Sequence, residues 1–214
     1  MCKALLAALV LVAMPAVAVT EREVRAAITP LDKVTADDIA RLKARGPEVP
    51  ALLARIYTST SSEDDRAVIA WILYTIGTKS PEARAALLRD IDTQNSKLRL
   101  QVQWALGRVS DDTEIVDILA RIMRNDDNAL FRDKAACALA YDQIHLTERQ
   151  KVELYSKLID ALTDEKAQVR AIAIQALSIH TGQTKGYDPN ASPETRALSI
   201  VRWRTWLAEY EKNL

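Results

Sequence analysis

DDNALFRDKAACAL, residues 126–139, returns 38 residues later as DEKAQVRAIAIQAL, residues 164–177. Both stretches open on an aspartate, carry an arginine six residues on, and close on a leucine seven residues after that arginine. The Arg–Leu frame occurs twice more, at Arg66–Leu73 and Arg99–Leu106, so four copies stand at spacings of 33, 33 and 38 residues. Three residues after each arginine come Ile69, Val102, Ala135 and Ala173; six after come Ile72, Ala105, Ala138 and Ala176. The residue before it is Leu98, Phe131 or Val169, with Asp65 breaking the rule. At about 100° per residue these positions form one stripe, so each copy is an amphipathic helix.

A second set of helices is expected between them, near 49–57, 81–91, 113–124 and 148–162. The turns TSTSSEDD, DTQNSK, RNDDN and LTDEK join each to the next. Ser, Asn and Asp cap helix starts and tolerate turn geometry. No segment alternates with period two as a half-buried strand would. With 5 Gly, 7 Pro and one Phe among 214 residues, the composition also favours helix. The pattern predicts an all-α chain of about four stacked helix pairs, an α-solenoid.

The apolar-Arg start of the second helix, as in LFRDKAACAL and QVRAIAIQAL, resembles that of HEAT repeats, relatives of armadillo repeats. The resemblance spans roughly residues 36–182 and implies a right-handed solenoid whose second helices line its concave side. HEAT repeats often place an aspartate six residues before the arginine. Asp126 precedes Arg132 and Asp164 precedes Arg170 at that interval, whereas Thr60 and Thr93 stand there in the first two units. The four arginines, Arg66, Arg99, Arg132 and Arg170, read either as a basic ladder for an anion or as a structural Asp–Arg ladder tying neighbouring turns. The balanced charge favours the structural ladder.

The chain opens MCKALLAALVLVAMPAVAVTERE: a basic start at Lys3, a short apolar run, and Ala16-Val17-Ala18 before charged residues. That is the layout of a secretory signal peptide over residues 1–18, so an exported protein, periplasmic or extracellular, is expected. Contact with a membrane is expected only if this segment stays uncleaved. Residues 19–48, with helix starts at Thr20 and Thr35, read as an N-terminal cap, 49–182 as the repeats, and 183–214 as a loop and C-terminal capping helix. Lys plus Arg and Asp plus Glu both number 29. Losing Lys3 would leave a net charge of about −1, without the basic field that nucleic-acid binding requires. Only Cys137 would remain, in an apolar run where it reads as a small hydrophobic residue.

Little in the sequence resembles chemistry. Some HEAT-like proteins are metal hydroxylases that carry paired His-Glu motifs, but here neither His145 nor His180 is followed by Glu. No nucleophile elbow, Cys–His pairing or phosphate-cradling glycine loop is present. Neither a catalytic residue, a metal nor a cofactor is expected.

Aromatic residues stand out instead. Trp71 and Trp104 lie about 150° round their helices from the apolar stripe, with Tyr74, Arg108 and Tyr141 flanking them. Trp, Tyr and Arg dominate interface hot spots, so these five are the candidate partner-binding residues. The alternative is packing between consecutive repeats.

The end of the chain, TGQTKGYDPNASPETRALSIVRWRTWL (181–207), resembles the ending of exported bacterial HEAT-repeat proteins. Ser192 and Pro193 start a helix whose Ile200, Trp203, Trp206, Leu207 and Tyr210 share one side. Together with Tyr187 in the loop, they are expected to seal the last repeat. The functional expectation is a non-catalytic protein- or peptide-binding scaffold of the cell envelope or exterior, its partner on the concave face. The alternatives are a HEAT-like lyase or hydrolase working through scattered carboxylates, and an envelope component that binds copies of itself.

Overall fold

A computed structural model describes residues 19–214; the expected signal peptide, residues 1–18, lies outside them. Among the described residues the regular structure is helical, without a strand. The helices are α1 (Glu21–Ala27), α2 (Ala36–Lys43), α3 (Val49–Ser59), α4 (Glu63–Ile76), α5 (Pro81–Leu88) and α6 (Ser96–Val109). They continue with α7 (Thr113–Asn125), α8 (Ala129–Tyr141), α9 (Glu148–Ala161), α10 (Ala167–Thr181) and α11 (Pro193–Lys212).

Local chemistry sets the boundaries. Thr20, Thr35 and Thr147 form reciprocal capping boxes with Glu23, Asp38 and Gln150. Ser62, Ser80, Asn95, Asp112, Asn128 and Ser192 each accept a backbone N–H from the first turn they precede. α4 and α10 stop at Gly77 and Gly182, whose φ of 61° and 70° place them in the left-handed region open to glycine.

The helices stack in two rows. In one row α3 packs on α1 and α5, and α9 on α7 and α11; in the other, α2, α4, α6, α8 and α10 follow one another. The arrangement is an α-solenoid. Its hydrophobic layer lies between the rows. Leu73, Leu106, Leu139 and Leu177, each seven residues after its arginine, are all fully buried there. Residues 19–48 contribute a short helix pair, α1 on α3 and α2 on α4, whereas α11 extends only the first row.

The first row is weakest between α5 and α7, which do not pack closely. Side-chain charges bridge that joint: Arg84 reaches Asp112 and, at 3.0 Å, Glu114, while Lys79 meets Asp111 at 2.6 Å.

Candidate functional site

The arginines hold the stack together through a repeated geometry. Nη1 of Arg66, Arg132 and Arg170 donates to the carbonyls six and five residues earlier, at 2.7–3.1 Å, so each arginine braces the turn before its own helix. The rest of the guanidinium faces the next unit. Arg66 makes a two-pronged bond to Asp90, with Nε at 2.9 Å and Nη2 at 3.3 Å. Arg99 binds Asp126 and stacks over the ring of Phe131, 4.2 Å from its centroid. Arg132 finds only the amide oxygen of Gln168, at 2.8 Å, and its Nε is buried without a partner. Arg170 ends the series on the carbonyl of Pro189, at 2.9 and 2.7 Å.

The acceptor thus passes from carboxylate to amide to backbone oxygen as the repeats run out. The Asp126 side chain pairs back with Arg99 of the preceding unit, not with Arg132, and Asp164 pairs with Arg124 of α7 at 3.4 Å. Asp90, which the six-residue interval misses, also accepts from the Tyr57 hydroxyl at 2.6 Å. Burial and this carboxylate together push the Tyr57 phenol far above its usual range.

On the outward side of the second row, Trp71, Tyr74 and Trp104 are half-buried and pack against the core with one edge. The Tyr74 and Trp104 rings lie 6.3 Å apart at a 46° tilt. Arg108 lies over Tyr74, its guanidinium carbon 4.4 Å from the ring centroid, and donates through Nε to Asp142 Oδ1 at 2.9 Å. Tyr141 is 56% exposed and Ile144 50%, so the patch is open at its α8 end. Cys137 and Tyr141 line a small cleft between α8 and α10 with Ile172 and Ile179. Burial pushes the Cys137 thiol up, away from the thiolate that reacts.

What fixes this patch is the α8–α9 connection, residues 142–147, longer than its counterparts 77–80 and 110–112. It folds back over two earlier units. His145 Nε2 lies 3.0 Å from Gly77 O and 2.9 Å from Arg108 O; both are acceptors, so this nitrogen carries the proton. These are C-terminal carbonyls of α4 and α6, which helix geometry leaves without partners. Gly107 in α6 permits the approach, because a Cβ there would stand 2.6 Å from Gln143 Nε2 and 2.9 Å from Asp142 O. Asp142 is buried beneath Arg108, and that burial lifts its carboxyl above the usual range, with Arg108 offsetting part of the rise. Sequence reasoning passed over Asp142, Gln143 and Gly107. The available signals were the 38-residue spacing and a glycine inside an otherwise regular helix.

At the chain end, Trp203 is fully buried on α9, and its Nε1 donates to Thr184 O at 3.2 Å. Trp206 and Tyr210 stack at 5.3 Å and pack around Tyr155 of α9, while Ile200 is buried and Leu207 half-buried beside them. Tyr187 is buried, its hydroxyl on Leu162 O, and Ser192 caps α11 through Thr195 N at 3.3 Å. Arg202 and Arg204 stand outside the buried side and are exposed.

His180, its pKa pushed down by burial, donates through Nε2 to Leu139 O at 2.9 Å and takes no part in the patch loop. No three His, Cys, Asp or Glu side chains among the described residues converge as a metal site does. Among the same residues no helix is long and apolar enough to cross a membrane.

Two rows of stacked helices, bound unit to unit by buried and half-buried arginines, define the class of α-solenoid repeat proteins. Residues 49–140 match the family model described as HEAT repeats, the family that the Arg–Leu frame resembles. Among solved structures it is similar to the crystal structure of an engineered protein, with 14% identity over 88% of this chain and 97% of that one and a TM-score of 0.49. No curated protein matches the sequence.

Proposed function

We propose that the protein is a non-catalytic binding scaffold that holds a protein or peptide on the outward, concave face of its second helices. HEAT repeats are generally protein-interaction scaffolds. The observation that carries the reading is the row Trp71, Tyr74, Trp104 and Arg108, partly open and braced from below by Asp142. Rigid aromatic rings beside a fixed guanidinium lose little conformational entropy on binding, which is why such residues anchor interfaces. The opening segment supports export to the envelope or exterior.

The test compares capture of a partner by the full chain, by Trp71→Ala/Trp104→Ala, and by Tyr141→Ala, whose exposed ring leaves the core untouched. Loss of the partner in both variants, with Tyr141→Ala melting like the parent, supports this face. Retention of the partner by both variants overturns it. Cell fractionation with N-terminal sequencing of the recovered protein tests export and cleavage after Ala18.

A further inference from the structure

The last helix carries a second seam that nothing among the described residues covers. Along α11, Glu194, Leu198, Val201, Thr205, Ala208 and Lys212 follow one another at intervals of four, three, four, three and four residues. That is the a/d spacing of a coiled-coil stripe. The stripe lies opposite the buried Trp203 side, and all six residues are exposed; Leu198 and Val201 are 63% and 60% exposed. Among the described residues α11 ends the first row, packed on α9 behind it and on no further helix in front.

We infer that α11 docks against α11 of a second copy of this chain, antiparallel, about a two-fold axis level with Trp203. In that register Leu198 faces Ala208 of the other copy and Val201 faces Thr205, large residues against small ones, each contact made twice. Glu194 at one end of the seam meets Lys212 at the other, so both ends close on opposite charges. A parallel pairing would instead put Glu194 against Glu194 and Lys212 against Lys212.

Arg202 and Arg204 flank the seam and are drawn to their own chain, Arg202 by Lys185 O at 3.0 Å and Arg204 by Asp160 at 3.9 Å. Among the described residues head-to-tail stacking has no matching surface, since the opposite end of the row exposes Arg22, Glu23 and Arg25 of α1. A self-complementary patch at one end alone gives a closed two-fold dimer, not a filament. This contact uses neither the second-row face nor its aromatic residues and stands independently of the proposed function.

Sedimentation equilibrium of the full chain tests it, at concentrations on the order of 100 µM, where a contact below standard interface size is populated. The parent is expected to sediment as a dimer and Val201→Lys as a monomer with an unchanged thermal melt. Glu194→Lys and Lys212→Glu each weaken the dimer, and the two together restore it, because every end pair is again of opposite sign. Leu198→Ser serves in place of Val201→Lys should the latter fold poorly. A monomeric parent, or a dimer that survives these seam variants, overturns the inference.

Discussion

Asp142 and Arg108 are 34 residues apart in sequence, yet Arg108 Nε donates to Asp142 Oδ1 at 2.9 Å while its guanidinium covers the ring of Tyr74. This pair joins the α8–α9 connection to α6 and, through the ring, to α4. Three consecutive units therefore share one polar contact beneath the aromatic patch.

The pair has a pH signature. Burial raises the Asp142 carboxyl above its usual range, so the folded protein holds this proton more tightly than the unfolded chain does. Between the ordinary and the raised value the folded state binds more protons, and stability falls as pH climbs through that window. Asp142→Asn has no such cost. The stability of the variant relative to the parent is expected to improve as pH rises through the window and then level off. Urea unfolding at a series of pH values reads this difference; acids common to both chains, such as Asp38 at about 2, cancel. A difference that is flat with pH would refute it.

Gly107→Ala reverses an ordinary rule. An alanine in a helix interior normally stabilises by roughly 0.5–1 kcal/mol over glycine. Here the new methyl meets Gln143 Nε2 and the Asp142 backbone, which closes the approach of the 142–147 connection. The expected result is a loss of about 1–3 kcal/mol, as for overpacking, read as a lower urea midpoint.

Gln103→Met is expected to stabilise. Gln103 in α6 is fully buried, and neither its amide oxygen nor its nitrogen has a hydrogen-bond partner. Leaving a buried polar group unpaired costs about 1–3 kcal/mol, and a methionine of similar shape removes that cost. Equilibrium unfolding measures the gain; a lowered midpoint would place a bonded water beside the amide.

Trp203→Ala should cost about 3–5 kcal/mol, the usual range for emptying a buried large aromatic site. The indole also holds Thr184 O, so the 183–192 loop loses one of its ties to α11, those from Ser199 and Arg202 remaining. Leu198→Ala, on the exposed side of the same helix, should leave the melting temperature of the monomer nearly unchanged. Calorimetry of the two variants separates the faces.

Much of this protein follows from periodicity alone. The Arg–Leu frame placed the second helices, polar caps placed their starts, and the apolar side of 193–210 turned Trp203 inward. Each of these is local: a helix sorts its own side chains by angle, whatever lies beyond it. The HEAT resemblance also follows from such a frame.

The contacts between units could not be read the same way. Asp126 stands six residues before Arg132 but binds Arg99, because a stacked unit meets the previous unit's arginine across space. His145 reaches Gly77 across 68 residues, and Asp142 reaches Arg108, only because the longer 142–147 connection loops back over two repeats. Sequence determined which residues share a face of each helix. Tertiary structure decided which faces meet and which charges are buried together, since these depend on the offset between neighbouring helices, a distance that no single helix encodes.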